Sequence, residues 1–452
     1  MESSQLDVDD TFYVIVTGAN SGVGFATCCR LIDEFLATRP QSHTLVLIPT
    51  TRSSRKSDDT VKQLRTHLAK ASREAEKRVP GIGSILEKRV RFQPEMLDLC
   101  SLISVQACGR RLNKTIPKLD ALICNAGIGG WTGVNWLWAA YKILTDWVHS
   151  TTWPEGFKIA SVGLVTGPQV PTTGTAPATA NGKKGQAGSS TSGREPPLGE
   201  VFCANVFGHY LLGHYCAPLL RAARPQAGRI IWTSSLEAYA SEFKLEDFQG
   251  LTTGMAYESG KRLTDVLALT YDTPAAQPYS SRYFETNEAP NGEGGEGDRT
   301  PRMYLSHPGI VNTTIFPLPF PWIMSWLWLF TSYMGRWLGS QWHVVQPYMA
   351  AVAPVWLALA AQSTLDEVEA REGKGKWGSA TDRAGNERVV RTEVEGWGFG
   401  GVVGDSAGKK GRRRGAVDLK EGEREKFEKL GSVCWREMEK LREEWEGRLA
   451  AA

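Results

Sequence analysis

The stretch FYVIVTGANSGVGFATCCRLIDEFL, residues 12–36, decides the fold of this chain. Its first five residues are apolar or aromatic and predict a buried strand at 12–16. A glycine-rich turn follows, and apolar residues at helical spacing then predict an amphipathic helix at about 22–37. A strand that leads through such a turn into a helix is the opening unit of a parallel α/β sheet.

The glycines of the turn suit the pyrophosphate of a dinucleotide. Gly18 permits a sharp exit from the strand, Gly22 lets the backbone approach the phosphates, and Gly24 lets helix and strand pack closely. The N–H groups at the start of the helix and the helix dipole then face the phosphates. A turn that serves only the fold is the alternative, because a glycine-rich turn alone is weak evidence. The cofactor-binding residues predicted here are Gly18, Ser21, Gly22, Val23 and Gly24.

Further strands continue this alternation along the chain. Strands alternating with helices form a parallel sheet with right-handed crossovers. The expected architecture is therefore a Rossmann-like α/β fold, a doubly wound parallel sheet flanked by helices. The predicted strands lie at 43–50, 89–97, 120–127, 229–234 and 302–309, and the helices between them include one over 199–221.

Insertions interrupt the alternation. A Trp-rich insertion occupies 131–170, and stretches at 171–197 and 285–300 have the low-complexity, polar composition of segments that do not pack. We predict one nucleotide-binding domain over 11–361 that contains these insertions. A C-terminal extension over 362–452 is increasingly charged and is expected to end in an exposed helix.

An apolar segment at 315–339 follows the last predicted strand. No charged residue lies between Ile315 and Gly335, but three prolines interrupt its first third and leave a helix of fourteen residues from Trp322. Spanning a bilayer needs roughly 20 residues, so the segment is predicted to lie in a membrane interface. A buried helix over an apolar substrate pocket is the alternative.

Composition excludes several classes of function. The chain has 452 residues, and its 52 Lys and Arg against 49 Asp and Glu give a net charge of +3, too weak for a nucleic-acid-binding protein. Its eight cysteines form no CxxC pair and no metal-ligand spacing with the seven histidines, which predicts a reduced, cytosol-facing protein without a metal site. The acidic N-terminus has no apolar stretch and predicts no secretory signal.

The end of the second predicted strand indicates which nucleotide binds. NAD sites place a carboxylate there for the ribose 2′-hydroxyl. Here the sequence is PTTRSSRK, in which Thr51 and Arg52 offer a hydroxyl and a cation to a 2′-phosphate, so NADPH is favoured over NADH. Asp98, after the third strand, is placed to contact the adenine. The motif NAG ends the fourth strand at the ligand-binding edge of the sheet, and its residues Asn125, Ala126 and Gly127 are further predicted contacts.

Tyr257 and Lys261 are the candidate pair for proton chemistry. They stand four apart in YESGK, so on a helix they share one face. A cation close to a phenol favours the phenolate and brings proton exchange nearer to neutral pH. The pair alone proves little, because Tyr and Lys at this spacing are common on solvated helices.

Five motifs in order resemble the short-chain dehydrogenase/reductase family over residues 11–313. A narrower resemblance is to the fungal sterol 3-keto reductases of ergosterol biosynthesis and their animal counterparts, the type 7 17β-hydroxysteroid dehydrogenases. The family motifs are TGANSGVG (17–24), NAG (125–127), the serines ending IIWTSS (230–235), YESGK (257–261) and the Pro308-Gly309 pair; the narrower ones are 133–163, NVFGHYLL (205–212), KLEDFQG (244–250) and KWGSATDRAGNERV (376–389).

This resemblance implies NADPH-dependent reduction of a 3-keto-4-methyl sterol to the 3β-alcohol in C4 demethylation. It also implies work at the endoplasmic reticulum membrane, on its cytosolic face, or on lipid droplets, in company with other C4 demethylation enzymes. Two alternatives stay open at this point. One is a short-chain reductase of another lipophilic ketone, and the other is a non-catalytic scaffold of a sterol-biosynthesis complex.

The resemblance also implies the roles of single residues. Tyr257 is the acid, Lys261 lowers its pKa and holds the nicotinamide ribose, and a serine polarises the carbonyl. The long loop before Tyr257 leaves Ser235, the better match, and Ser234 both open. Further implied site residues are Asn205, which helps to hold a water linked to Lys261, and Pro308, Gly309, Val311 and Thr313, which close over the nicotinamide.

Overall fold

The computed structural model describes residues 8–170, 195–285, 300–312 and 321–451. Most of the two predicted low-complexity stretches and Thr313 lie outside the described residues. The strands are β1 (Thr11–Val16), β2 (Thr44–Thr51), β3 (Val90–Phe92), β4 (Glu95–Met96), β5 (Ala121–Cys124), β6 (Trp131–Val134), β7 (Lys158–Ala160), β8 (Arg229–Thr233), β9 (Arg302–His307), β10 (Lys376–Thr381) and β11 (Glu387–Thr392).

Helices surround these strands, and one stretch of π-helix, Cys203–Phe207, joins two of them. They are α1 (Gly22–Thr38), α2 (Ser54–Glu76), α3 (Ile82–Lys88), α4 (Leu102–Thr115), α5 (Trp136–Thr145), α6 (Trp147–Thr152), α7 (Glu200–Phe202), α8 (Gly208–Tyr215), α9 (Ala217–Ala222), α10 (Ala256–Thr270), α11 (Gln277–Phe284), α12 (Pro321–Trp337), α13 (Pro347–Ala350), α14 (Val352–Leu359), α15 (Gln362–Glu372) and α16 (Glu423–Ala450). Two short 3-10 turns, Ala240–Glu242 and Leu245–Asp247, lie before α10.

Within the described residues, nine strands form one sheet in the order β11-β10-β9-β8-β5-β1-β2-β3, with β4 beside β2. All pairs are parallel except β10 with β11. The strand order reverses between β1 and β5, and open α/β sheets bind ligands at the carboxyl ends of such a switch point. The predicted doubly wound α/β sheet is confirmed.

The central strands are apolar because helices cover both faces of the sheet. All eight residues of β2 are buried. One core cluster lies on the side of α4, α8, α10 and α16, and the other lies on the side of α1, α2 and α14. The helix predicted over 199–221 is interrupted at Cys216, because Pro218 near the start of α9 lacks the N–H that would continue it.

The expectation of an exposed C-terminal helix is wrong. Strands β10 and β11 extend the main sheet, and α16 packs on α10 and α11. Trp435, Met438 and Trp445 follow one another at intervals of three and seven residues on one face of α16, and each is at most 1% exposed. The charged residues that suggested exposure occupy mainly the other face.

Residues 315–320 of the predicted apolar segment lie outside the described residues, and most of the rest forms α12, which packs against α6 of the Trp-rich insertion. The indole Nε1 of Trp147 donates to the Thr331 carbonyl at 3.1 Å, and the Trp147 and Phe330 rings meet edge to face with centres 6.2 Å apart. Among the described helices, none has the length and apolar character needed to cross a membrane.

Candidate active site

Tyr257 and Lys261 lie on the first turns of α10, beside the carboxyl end of β8. The Lys261 Nζ lies 5.5 Å from the centre of the Tyr257 ring and donates to the Thr233 carbonyl at 2.6 Å. Lys261 is only 4% exposed. The helix therefore presents both groups on one face, as their spacing predicts.

Burial controls the charges of this pair. It raises the pKa of Tyr257, and the neighbouring carboxylates of Glu237 and Glu258 raise that pKa further, whereas a hydrogen bond with Ser235 lowers it. Burial also lowers the pKa of Lys261 to about 8. The phenol pKa is thus raised here, in contrast to the lowering expected from Lys261, because desolvation of the phenolate outweighs the attraction of a distant ammonium. Tyr257 therefore stays protonated at neutral pH, so its hydroxyl proton is present when a carbonyl binds.

The two candidate serines face different partners. The Ser235 hydroxyl lies close enough to Tyr257 to lower the pKa of that phenol, and its Oγ accepts from the Glu237 N–H at 3.1 Å. Ser234 is buried, and its Oγ donates to the Asp265 carboxylate. The geometry therefore favours Ser235 as the serine that reaches a carbonyl held by Tyr257.

Asn205 lies in the π-helical stretch, a kind of turn that often marks a functional site. Its Nδ2 donates to the carbonyls of Ile128 and Val201, both at 2.8 Å. Its Oδ1 is buried and has no hydrogen-bond partner among the described residues. A Cβ at Gly127 would lie 2.2 Å from this oxygen, so Asn205 meets the backbone of the NAG motif. A buried acceptor of this kind fits a water or a cofactor hydroxyl.

The glycine turn after β1 has the shape that a dinucleotide needs. Gly18 and Gly22 adopt left-handed φ values of 64° and 56°. A Cβ at Gly24 would lie 2.3 Å from the Gly18 carbonyl oxygen and 2.5 Å from Asn125 Nδ2. The Ser21 side chain does not cap α1 within the described chain, and the first turn carries no acidic residue. The backbone N–H groups of that turn, including that of Val23, are therefore suited to a phosphate.

Thr17 ties the glycine turn to the NAG motif. Its Oγ1 accepts from the N–H groups of Asn125 and Ala126 at 2.8 and 2.9 Å, and Asn125 Nδ2 donates to the Thr17 carbonyl at 2.9 Å. The ends of β1 and β5 therefore form one rigid cradle at the switch point.

The groups predicted to select the nucleotide lie at the same edge of the sheet. Thr51 ends β2 and donates to the Ser53 carbonyl at 3.0 Å, and the exposed Arg52 follows it. The Asp98 carboxylate accepts from the Cys100 N–H at 3.0 Å. A cation at the end of β2 fits the 2′-phosphate of NADPH.

The Pro308-Gly309 segment is pinned against residues 342–345. Gly309 has a φ of 70°, and a Cβ there would lie 2.6 Å from the Trp342 carbonyl oxygen. The Ile310 N–H donates to that same oxygen at 2.7 Å, and Val311 pairs with Val345. Thr313 lies outside the described residues, so its predicted contact stays a prediction.

Sequence reasoning missed a buried charge cluster beside Tyr257. The Trp131 ring centre lies 4.8 Å from that of Tyr257, and Lys158 Nζ lies 4.6 Å from the Trp131 ring centre. Lys158 pairs with Glu237 at 2.6 Å and also with Glu258. Burial raises the pKa of Glu237 to about 7. The available signal was Glu258 inside YESGK, a carboxylate on a buried turn that needs a cationic partner.

Comparison with known proteins gives long matches to curated proteins, although no family model matches the chain. The 3-keto-steroid reductase erg27 of Aspergillus fumigatus is 47% identical over 98% of this chain and 96% of its own length. The 3-keto-steroid reductase ERG27 of Gibberella zeae is 41% identical over 97% and 94%. The 3-keto-steroid reductase erg27 of Schizosaccharomyces pombe is 29% identical over 85% and 90%. The first two matches extend over nearly the whole of both chains.

Proposed function

Since the chain belongs to the 3-keto-steroid reductase family, we propose that it reduces the 3-keto group of a 4-methyl sterol to the 3β-alcohol with NADPH. The observation that carries this proposal is the arrangement of Ser235, Tyr257 and Lys261 beside the glycine cradle. A protonated phenol, a serine hydroxyl and an ammonium at the ligand-binding edge suit reduction of a carbonyl group.

Ser235, Tyr257 and Lys261 have separate roles in the proposed carbonyl reduction. When bound, NADPH supplies the hydride that the carbonyl carbon receives. The Ser235 hydroxyl polarises the carbonyl, and the Tyr257 hydroxyl donates its proton to the oxygen as charge develops there. Lys261 then stabilises the phenolate that remains. The glycine turn would hold the pyrophosphate, and Arg52 would hold the 2′-phosphate.

Turnover of defined ketones by the purified protein tests the proposal. A panel of 4-methyl-3-ketosterols is incubated with NADPH, and cofactor oxidation and sterol product are measured together. We expect the 3β-hydroxy sterol. Reduction of a retinoid or polyketide ketone without reduction of the sterols would indicate another lipophilic substrate, and failure with every ketone would favour a scaffold.

Arg52→Ala is expected to raise KM for NADPH by about 10- to 100-fold, the size of a lost charge-assisted hydrogen bond. KM for NADH should change little, because NADH carries no 2′-phosphate for Arg52 to bind. Initial rates at varied cofactor concentration give both values. Arg73→Ala, which removes an exposed arginine near the far end of α2, is the matched control. An equal rise for both cofactors in Arg52→Ala would contradict a 2′-phosphate contact.

We further propose that the protein docks on the cytosolic face of the endoplasmic reticulum membrane or on lipid droplets. Two helices carry unusually exposed apolar side chains. Leu137 and Leu144 on α5 are 88% and 77% exposed, and Trp326 on α12 is 71% exposed. The insertion that carries α5 also contributes Trp131 to the site, so one element links the apolar surface to Tyr257. Exposed apolar helices of this kind support binding to a lipid interface.

Replacing Leu137 and Leu144 by glutamate is expected to weaken vesicle binding by about tenfold or more, because each buried leucine contributes about 1.5 kcal/mol or more. Co-sedimentation with phosphatidylcholine vesicles that contain sterol measures the effect. Ile103→Glu with Val417→Glu alters two exposed apolar residues outside α5 and α12 and is the matched control. Unchanged sedimentation of the α5 variant would contradict docking through this helix.

A further inference from the structure

We propose that Lys376 and Asp265, a buried ion pair between β10 and α10, are positioning residues that hold the Ser235 backbone in place beside Tyr257 and set the charge environment of the Lys261 ammonium. The inference rests on the proposed function, because it concerns residues placed around the reducing centre. Neither residue is among the predicted site residues, although Lys376 opens the stretch KWGSATDRAGNERV that carries the narrower resemblance. Lys376 comes from the C-terminal part of the chain.

The geometry ties both serines at the end of β8 to one ion pair. Lys376 Nζ donates to Asp265 Oδ2 at 2.8 Å and to the Ser235 carbonyl at 2.5 Å. The other carboxylate oxygen of Asp265 accepts from Ser234 Oγ. Ser235 is thus fixed through its backbone while its hydroxyl meets Tyr257.

A contribution to stability does not by itself explain why this ion pair is buried. The Lys376 and Asp265 side chains are 3% and 1% exposed. Taking two charges out of water costs much of what their attraction returns, and an apolar pair of similar volume is often as stable. Lys376 opens β10, which is separated from β8 by β9. Its long side chain reaches past β9 to donate a hydrogen bond to the Ser235 carbonyl. This contact favours a role in positioning Ser235 over a role in stability alone.

The same pair acts on Lys261 through charge. Asp265 lies one turn after Lys261 on α10 and raises the pKa of that ammonium, whereas Lys376 lowers it. Loss of the Lys376 charge should therefore move the pKa of Lys261 up, and loss of the Asp265 charge should move it down. The other titratable or charged groups that act on Lys261 or Lys376 are Cys124 on β5, His209 on α8, Arg262 on α10 and His307 on β9. All four stay unchanged in the variants below.

Two single variants and their combination test the inference. In Lys376→Met and in Asp265→Asn, kcat for ketosteroid reduction is expected to fall by about 10- to 100-fold, the scale of a small misplacement, while both KM values change little. The pH dependence of NADPH affinity, measured by tryptophan quenching, should shift to higher pH in Lys376→Met and to lower pH in Asp265→Asn. A purely structural role would give no such opposite shifts.

The double variant keeps the test decisive if a single variant fails to fold. It removes both charges together, so its NADPH pH profile should return toward that of the wild type while kcat stays low. Lys376→Arg, which keeps the charge, should retain the wild-type pH profile. Lys374→Met breaks a nearby but more exposed pair with Asp272 and is the matched control. Wild-type kcat in a folded double variant, or shifts of equal sign in the single variants, would overturn the inference.

The readouts separate this inference from the proposed function. Wild-type protein that reduces no 3-ketosterol would refute the proposed substrate. The NADPH affinity profiles of the variants would still show whether the pair acts on Lys261.

Discussion

Tyr257→Phe is expected to lower kcat for 3-ketosteroid reduction by about 10²- to 10⁴-fold, the range of a lost general acid. In the proposed mechanism the phenol hydroxyl is the proton donor, and its raised pKa keeps it protonated at neutral pH. Phenylalanine retains the ring that packs on Trp131, with centres 4.8 Å apart in the parent structure. The fold and NADPH affinity should therefore survive while the chemistry fails.

Single-turnover rates at saturating NADPH measure the chemical step of this variant. NADPH affinity by tryptophan quenching checks that the cofactor site is intact. Tyr141→Phe removes the hydroxyl of an exposed tyrosine on α5 and is the matched control. Near wild-type turnover in Tyr257→Phe would assign the proton to another group and would refute the mechanism.

The second large effect is expected for Ser235→Ala, about 10²- to 10³-fold in kcat, as for the loss of one donor to a developing oxyanion. Ser234→Ala should cost less than Ser235→Ala, because the buried Ser234 hydroxyl is already engaged by the Asp265 carboxylate. The ratio of the two kcat values is the measurement. Ser241→Ala, at an exposed residue of the 3-10 turn after β8, controls for removal of a hydroxyl. A larger loss in Ser234→Ala would reverse the assignment.

The sequence predicted the first half of the fold well because its signals are local. An apolar strand, glycines with left-handed φ at Gly18 and Gly22, and an amphipathic helix lie within one short stretch. The family that the motifs indicate is confirmed by the long matches to 3-keto-steroid reductases. The role of 362–452 in the fold was missed, since β10 pairs with β9 across about 70 residues of intervening chain and no local pattern encodes such pairing.

Some residues of the candidate site could likewise be predicted from local sequence, and others could not. The spacing of Tyr257 and Lys261 follows from one helical turn, and the geometry brings Ser235 to them. The roles of Lys158 and Lys376 could not be found, because each contacts the site across about 100 residues or more of sequence, although both lie in stretches, 133–163 and 376–389, that carry the family resemblance. Their identity depends on which carboxylates the fold buries, and that is a property of tertiary packing.

Because α16 packs on α10, folding of the site cannot be completed until the ribosome has synthesised α16. Trp435 donates its indole N–H to the Leu267 carbonyl at 3.2 Å and covers the helix that carries Tyr257. At about 5–20 residues per second, the ribosome delivers Trp435 roughly 10–40 s after α10. During that interval the part of the α10 surface that α16 later covers lacks this cover. Nascent chains should therefore engage holding chaperones and gain activity only after translation has passed α16.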